Sequence, residues 1–360
     1  MRLNVSSKES SVISSVSVAR DLVGKIPHFS FRENTHQMET RMTPPPPPSS
    51  SSSSSSFEDE IHATENFLSE KQLEEVDAFL NRYVRLNDAG KLLSPSKTVE
   101  EDAFFVSGTY FWSRDSQPQT AIERYCETLC SYFMGKKKSA FFSSLFRDDD
   151  DFVGCEYWVQ DVAHDEAPKA YHTDCVLERE EEEGGELLLR KKHPLLSTVY
   201  YGKTERGGAT VAFDEEEYEK MRKCVLVKPR RNRLFAFRGD MWHGVCRDEN
   251  GFEGNEEAYQ RVTLLVNFWK ERPKCAGEFP REMFSGIHDS SSNHAINDDD
   301  DETRREEIDL STTNDDDERV FKMKSGERRA HFAAWEAQNP NAFLEPSASS
   351  SSIVLIEYTE

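Results

Sequence analysis

The run RVTLLVNFW, residues 261–269, is rich in β-branched and aromatic residues and predicts a buried β-strand. Five shorter runs of similar composition precede it, separated by glycine, proline or clusters of charge: residues 156–159, 197–201, 209–213, 224–227 and 234–237. Several short strands in succession, without helical patterns between them, are typical of a β-sandwich or a barrel-like fold. We therefore predict a β core at about residues 151–272.

Two helices are predicted before the strands. Ser69 and Gln72 form a capping-box pattern. Apolar residues follow at helical spacing: Leu73, Val76, Phe79, Leu80, Tyr83 and Val84. A second helix is predicted over Thr120–Phe133. Both helices are expected to pack against one sheet of the β core, which gives an α+β fold that is mainly β.

The two ends of the chain have the composition of disordered segments. Pro44–Pro48 and Ser49–Ser56 belong to a leader, residues 1–57, that has few core-forming residues. The acidic tail, residues 281–360, is predicted to be largely disordered, with a short helix at 326–337 and an edge strand at Ile353–Ile356. One folded domain is expected at 58–280, with helical support at 58–150.

The bulk composition disfavours several classes of protein. The 360-residue chain carries a net charge of −22, which disfavours a nucleic-acid backbone as the main partner. Its seven cysteines include no CxxC pair, so a reducing compartment is favoured over a disulfide framework. No apolar run approaches the roughly 20 residues that span a bilayer. The first 32 residues, which are rich in serine and carry five basic residues, faintly resemble an organellar transit peptide. A cytoplasmic or nuclear protein is nevertheless favoured.

A candidate metal site is spread over two segments. His172 and Asp174 are two positions apart in the β region, so on an extended chain their side chains project to the same side. Chance HxD pairs are common in a chain with ten histidines, and a surface loop is the alternative reading. His243 follows the apolar strand Leu234–Phe237 and a tight turn, where it is well placed to supply a second imidazole. Two imidazoles and one carboxylate form the facial triad associated with non-haem Fe(II).

A candidate cosubstrate anchor lies on the next strand. Arg261 and Thr263 share one face of the predicted strand. A guanidinium can bind a carboxylate bidentately, and a neighbouring hydroxyl adds one more hydrogen bond. The pair therefore suits a 2-oxo acid that chelates iron at one end and carries a second carboxylate at the other. A surface arginine on an exposed strand face is the alternative.

Six segments occur in the order typical of one enzyme superfamily: HTD at 172–174, HPLLSTVYY at 193–201, GGATVAF at 207–213, VKPRRNRLFAF at 227–237, HGV at 243–245 and RVTLLVNFW at 261–269. In these segments the chain resembles the 2-oxoglutarate and Fe(II)-dependent oxygenases, and within them a subgroup of the prolyl-4-hydroxylase-like branch. The resemblance implies a double-stranded β-helix, which is a distorted jelly roll. It also implies that His172, Asp174 and His243 are iron ligands and catalytic residues, and that Arg261 binds 2-oxoglutarate. Ascorbate is a candidate reductant for such an enzyme.

The chain departs from this branch in three features. An acidic insertion, Glu178–Glu183, follows the HTD segment, and a solvated loop is favoured over a lid. The long interval from His243 to Arg261 leaves Arg247 as a rival anchor. Prolyl hydroxylases also usually have a lysine where this chain has an arginine.

Three tyrosines are weaker candidates for the cosubstrate site. Tyr200 or its neighbour Tyr201 could donate a hydrogen bond to 2-oxoglutarate, and Tyr157 could do so from the preceding strand. Buried tyrosines are more often core residues whose hydroxyl has a local partner. His193 has no matched partner, and we expect a structural or surface role for it.

The predicted reaction is hydroxylation of a C–H bond, coupled to the conversion of 2-oxoglutarate to succinate and CO2. Asp174 favours this outcome, since related halogenases leave its position empty for halide. A protein side chain, with proline first, is the favoured substrate class, and a small molecule stays open. The alternatives are a non-catalytic jelly-roll binding module and a nucleic-acid demethylase on the same fold, which should have a basic surface around its pocket.

Overall fold

The computed structural model describes residues 56–93, 109–135, 142, 152–163, 171–181, 187–203, 205–214, 220–246, 260–279, 305–308, 320–324 and 353–359. All of them belong to the unit Ser54–Glu360. The predicted leader, apart from its last two residues, lies outside the described residues. So does the helix predicted at 326–337.

Both helices predicted from apolar spacing are present. Helix α1 spans Glu70–Leu93 and helix α2 spans Ala121–Gly135. The capping box of α1 forms as predicted: the backbone N–H of Gln72 donates to Oγ of Ser69 at 3.4 Å, and the backbone N–H of Ser69 donates to Oε1 of Gln72 at 3.1 Å. These bonds satisfy donors that the first helical turn would otherwise leave without an acceptor.

The larger of two main sheets contains seven strands: β1 (Ile61–Glu65), β2 (Tyr110–Ser113), β3 (Gly154–Ala163), β6 (Leu196–Tyr201), β9 (Arg233–Arg238), β11 (Gln260–Trp269) and β12 (Glu306–Ile308). Their order is β12-β1-β9-β6-β11-β3-β2. Four of the strands predicted from composition are β3, β6, β9 and β11, which are neighbours in the middle of this sheet. The long strand β11 pairs antiparallel with both β3 and β6.

The smaller main sheet contains five strands: β7 (Thr210–Phe213), β8 (Lys223–Val227), β10 (His243–Val245), β13 (Val320–Lys324) and β14 (Ile353–Thr359). Their order is β10-β7-β8-β14-β13. Among the described strands, only β13 and β14 pair in parallel. A separate two-stranded hairpin is formed by β4 (Val176–Glu181) and β5 (Leu187–Lys192).

Each central strand of the larger sheet has one face toward the helices and one toward the smaller sheet. On β11, Leu264 and Val266 pack in one core with residues of α1 and α2. Leu265 instead packs in a second core, which it shares with Ala212 of β7 and Val225 of β8. This alternation follows from the two-residue period of a strand. The fold is therefore a sandwich of two sheets with the helices on the outer face of the larger sheet.

Described strands also lie on both sides of the predicted β core. β1 and β2 belong to the larger sheet and come from the region 58–150, which was expected to provide helical support. The tail 281–360, predicted to be largely disordered, contributes β12, β13 and β14. Ile353–Ile356 is a strand as predicted, but it is not at the edge, because β14 lies between β8 and β13. Apolar side chains of β14 are buried in the sandwich. The acidic residues elsewhere in the tail gave the segment a disordered composition on average.

The acidic insertion is also corrected. Residues 178–181 were expected in a solvated loop, but they belong to β4 and pair with β5. Lys192 on β5 lies 2.9 Å from a carboxylate oxygen of Glu178 and 2.9 Å from one of Glu271, which follows β11. Glu178 lies opposite Arg190 across the pair, so this acidic position of β4 has a basic cross-strand neighbour.

No helix within the described ranges has both the length and the apolar character required to span a membrane.

Candidate metal centre

The structure brings His172, Asp174 and His243 together. Their ligand atoms all lie within 4.8 Å of one another, and they form the only such group of His, Cys, Asp or Glu residues among those the structure describes. Nε2 of His172 is 3.6 Å from Oδ1 of Asp174, and Nε2 of His243 is 3.6 Å from Oδ2 of the same carboxylate. The predicted pairing of an HxD segment with a distant histidine is therefore present as geometry.

The backbone holds the two histidines side by side. His172 forms an antiparallel bridge with His243, the first residue of β10. The backbone N–H of each residue donates to the carbonyl of the other, at 3.0 and 2.9 Å. Their imidazole rings lie with centroids 4.5 Å apart. The segment around His172 thus extends the smaller sheet beside β10, and sheet register sets the spacing of the two rings.

The tautomer of His243 is set by a hydrogen bond to the turn that precedes β10. Nδ1 of His243 donates to the carbonyl oxygen of Met241 at 3.0 Å. Because that ring nitrogen carries the hydrogen, Nε2 keeps a lone pair for a metal. The ring is buried and packs against Phe237, with centroids 4.8 Å apart. This contact and the hydrogen bond together limit rotation of the imidazole.

The Asp174 carboxylate is held in its ionised form. Oδ2 accepts hydrogen bonds from Oγ of Ser197 at 3.0 Å and from Nδ2 of Asn267 at 3.1 Å. Burial by itself would raise the pKa of Asp174, but the nearby His243 and His172 and these two hydrogen bonds outweigh it. The pKa therefore lies below the ordinary value. An anionic carboxylate beside two imidazoles is a donor set that suits Fe(II) and leaves coordination positions open.

His193 is partly buried and hydrogen-bonds to the HTD segment. Its Nδ1 donates to the backbone carbonyl of Asp174 at 2.9 Å. The bond links the HTD segment to His193, the first residue of the HPLLSTVYY segment. The predicted structural role of His193 is consistent with this contact.

Arg261 lies on the inter-sheet face of β11, as predicted, together with Thr263. It is only 3% exposed, which contradicts the alternative of a surface arginine. Its guanidinium donates to Oγ1 of Thr210 at 2.9 Å and to Oγ1 of Thr263 at 3.5 Å, and it lies 5.5 Å from the ring centroid of Tyr201. A buried cation held between hydroxyls and an aromatic face can accept a carboxylate without a large rearrangement.

Strand register relates Thr210, the hydrogen-bond partner of this guanidinium, to His243 of the triad. His243 is opposite Ala212, and Thr210 is opposite Val245, two residues further along β10. Two residues of antiparallel strand span roughly 7 Å. Thr210, which hydrogen-bonds to the Arg261 guanidinium, therefore lies two residues along β7 from Ala212, the residue opposite His243.

Gly207 adjoins the stem of Arg261. Its φ of +108° is a conformation that L side chains rarely adopt, and a Cβ built there would lie 2.9 Å from Cδ of Arg261. At Gly207 the absence of a side chain also leaves room for the arginine.

Tyr200 does not lie in the candidate site, which corrects its assignment as a cosubstrate-binding residue. It faces the helices, where its hydroxyl donates to Oδ1 of Asn232 at 3.1 Å and its ring is 5.0 Å from that of Tyr125. The adjacent Tyr201 faces the smaller sheet and donates to Oγ1 of Thr210. Tyr157 also packs in the core beside the helices. Arg247, the rival anchor, lies outside the described residues.

Sequence reasoning missed three residues of the site. Ser197 and Asn267 contact Asp174, and Thr210 contacts Arg261. Asn267 is an even number of positions from Arg261 on β11, so strand alternation already placed both side chains on one face. The face of β11 on which Asn267 lies could therefore be predicted. Its hydrogen-bond partner could not, because Asp174 lies far away in the chain.

Structures with a similar arrangement of elements include several oxygenases. A prolyl-4-hydroxylase from Pseudomonas putida is 13% identical with a TM-score of 0.33, and the similarity covers 59% of this chain and 89% of that chain. A viral collagen prolyl hydroxylase from Paramecium bursaria Chlorella virus-1 is 10% identical with a TM-score of 0.30, over 58% of this chain and 90% of the viral chain.

A third similar structure is HygX from Streptomyces hygroscopicus with nickel and 2-oxoglutarate bound. It is 8% identical with a TM-score of 0.30, over 58% of this chain and 81% of that chain. No protein-family model matches the chain, and no curated protein matches it. All three identities and TM-scores are low, so these similarities do not establish a function for this chain.

Proposed function

We propose that this chain is an Fe(II)- and 2-oxoglutarate-dependent oxygenase that hydroxylates a C–H bond and releases succinate and CO2. The observation that carries the proposal is the triad itself: three ligand atoms of the facial-triad type within 4.8 Å of one another. His172, Asp174 and His243 would hold the iron. When bound with 2-oxoglutarate and O2, the iron would supply the oxidising chemistry.

The residues around the triad have separate tasks in this proposal. Nε2 of His243 presents its lone pair because Nδ1 is engaged by Met241. The Arg261 guanidinium would bind the distal carboxylate, and Thr263 would add a hydroxyl donor. The apolar core between the sheets would exclude water from the inner side of the site. His172, whose side chain is 35% exposed, marks the side from which a substrate would enter.

The topology supports a double-stranded β-helix as the finer description of the fold. From β3 to β11 the chain crosses repeatedly between the two main sheets, and the His172 bridge adds one more crossing. The triad then lies where the HTD segment and β10 meet, at the rim of the smaller sheet. This placement is what the sequence resemblance implies for the iron.

A spectroscopic titration tests the metal and the cosubstrate together. Fe(II) and 2-oxoglutarate are added without oxygen, and the weak visible charge-transfer band of the chelate is recorded. We expect the band in the wild type, its loss in His172→Ala and Asp174→Ala, and its retention in His28→Ala, which removes a histidine of the leader. A wild type without the band, or triad variants that keep it, would contradict the metal assignment.

The substrate class is the finer part of the proposal. A protein side chain, with proline first, is suggested by the sequence resemblance alone. A peptide library incubated with Fe(II), 2-oxoglutarate and air is compared by mass spectrometry with a matched incubation that contains Asp174→Ala. Gain of one oxygen atom on prolyl side chains is expected in the wild-type incubation only. Turnover of 2-oxoglutarate without any modified peptide would exclude this class while leaving the oxygenase assignment intact.

The two alternative functions have weaker support. A non-catalytic binding module has no need for three ligand atoms within 4.8 Å of one another and a buried arginine on the neighbouring sheet. A nucleic-acid demethylase would need local positive charge to offset the chain's net charge of −22. Succinate formation in air, absent in Asp174→Ala, separates the oxygenase from the binding module.

A further inference from the structure

A row of polar side chains crosses the larger sheet beneath the triad. Ser197 on β6, Asn267 on β11 and Glu156 on β3 lie opposite one another on adjacent strands. They are 2%, 2% and 6% exposed. Cross-strand neighbours of this kind have Cβ atoms about 4.5–5.5 Å apart. Burying polar side chains between two apolar sheets opposes folding unless hydrogen bonds compensate it, so the row calls for a functional reason.

Two members of the row bind the same oxygen of Asp174. Ser197 donates to Oδ2 at 3.0 Å and Asn267 donates to Oδ2 at 3.1 Å. Neither of these bonds uses Oδ1, which lies 3.6 Å from Nε2 of His172, whereas Oδ2 also lies 3.6 Å from Nε2 of His243. Two donors converging on one oxygen fix the rotation of the carboxylate about its χ2 torsion. They also leave the two oxygens chemically unequal, with Oδ1 the one that keeps its lone pairs.

Asn267 is not placed to serve stability alone. Its Nδ2 must face Asp174, since a carboxylate accepts hydrogen bonds and does not donate them. Its own Oδ1 is buried and receives no hydrogen bond from any residue that the structure describes. A buried acceptor without a donor destabilises the folded state. The amide is therefore oriented for Asp174 at a cost in folding free energy, as is common for residues of functional sites.

We propose that Asn267 and Ser197 are positioning residues that make Asp174 bind the metal through Oδ1 alone. The inference rests on the proposed function, because it presumes that Asp174 is a metal ligand. A carboxylate bound through one oxygen uses one coordination position, and with two imidazoles it leaves three positions open. A carboxylate that is free to turn can bind through both oxygens, which would take one of the positions needed by the cosubstrate or O2.

The two donors also couple the two sheets at the site. Asn267 and Ser197 belong to the larger sheet, whereas His243 belongs to the smaller sheet, which His172 extends. Asp174 therefore hydrogen-bonds the metal centre to the central strands β6 and β11. Partners of metal ligands that act in this way typically change metal affinity by about 10–100-fold when removed.

The test uses Co(II) alone as the probe, measured by isothermal titration calorimetry on the full chain. The variants are Ser197→Ala and Asn267→Val. Thr198→Val is the matched control, because it also removes a buried side-chain donor from β6, but its Oγ1 donates to the carbonyl of Val266 on the opposite face of the sheet. The midpoint of thermal unfolding, Tm, is measured for every protein without metal.

We expect Ser197→Ala and Asn267→Val each to raise the Kd for Co(II) about tenfold or more, while Thr198→Val stays within about twofold of the wild type. Asn267→Val removes a buried acceptor that lacks a donor and also one hydrogen bond to a buried carboxylate, so the two effects oppose each other and the metal-free Tm should stay close to that of the wild type. The Co(II) absorption spectrum should also change in intensity in both variants, since the coordination number changes.

Two outcomes separate this inference from the proposed function. If the wild type binds Co(II) and both variants bind it equally well, the two side chains are structural and the positioning role is wrong. If the wild type binds no Co(II), the metal site itself is wrong and the inference fails with it. Should Asn267→Val not fold, Ser197→Ala against Thr198→Val decides the question in the same way.

Discussion

Replacing Arg261 by methionine removes the buried cation but keeps an unbranched apolar side chain that can fill the space. The guanidinium is already held at 2.9 Å from Oγ1 of Thr210 and faces the Tyr201 ring, so little reorganisation is needed to bind a carboxylate. Hydrogen bonds to charged groups contribute about 1.5–3 kcal/mol each, and a bidentate contact has two. At about 1.4 kcal/mol per tenfold change, loss of both raises the Kd for 2-oxoglutarate at least about 100-fold.

Thermal unfolding with Mn(II) in place of Fe(II) measures this loss. When 2-oxoglutarate is present at about 100 times the wild-type Kd, it stabilises the wild type by about 2.7 kcal/mol, and it stabilises a variant with a 100-fold higher Kd by about 0.4 kcal/mol. Without 2-oxoglutarate, the Tm of Arg261→Met should equal or exceed that of the wild type, because an apolar side chain in place of a buried charge is often stabilising. Arg247→Ala should keep the full ligand-induced shift. If Arg261→Met keeps the shift and Arg247→Ala loses it, the anchor is Arg247.

Three substitutions test the surroundings of the anchor, and one deletion tests the C-terminal strand. Gly207→Ala should lower the free energy of unfolding by about 1–2 kcal/mol, since φ is +108°, and should weaken 2-oxoglutarate binding by displacing Arg261, as measured by urea unfolding and calorimetry. Tyr200→Phe and Tyr201→Phe should each lose about 1 kcal/mol of stability, but only Tyr201→Phe should raise the Kd for 2-oxoglutarate. Equal Kd values for the two variants would contradict the assignment of faces. Deleting residues 353–359 should lower the Tm, because β8 loses one of its two partner strands; an unchanged Tm would show that β14 is dispensable.

The choice between Tyr200 and Tyr201 shows where sequence reasoning fails at this site. Both lie in the same strand and both are buried, so composition and burial do not distinguish them. The two-residue period does assign them to opposite faces of the strand. Ser197 is four positions from Tyr201 and therefore shares its face. Which face meets the smaller sheet depends on how β6 packs, and that contact is made by residues from other strands.

The tail gives the corresponding lesson for the fold. Ile353–Ile356 is apolar enough to predict a strand, and a strand is present there. Its neighbours could not be predicted, because pairing with β8 joins residues more than 120 positions apart. The acidic composition before it suggested disorder, although β13 pairs with it in parallel. Average composition describes a segment as a whole and does not reveal short stretches that a sheet can bury.

The sequence by itself determined the two helices, the strands around the candidate site, the triad of His172, Asp174 and His243, and the placement of Arg261 and Thr263 on one strand face. These features depend on local periodicity, on capping and on the chemistry of side chains. Only the tertiary structure decided which residues serve them: Ser197 and Asn267 at the carboxylate, and Tyr201 rather than its neighbour beside the arginine. Those contacts depend on the register between strands and on the packing of one sheet against the other, which are set by residues distant in the chain.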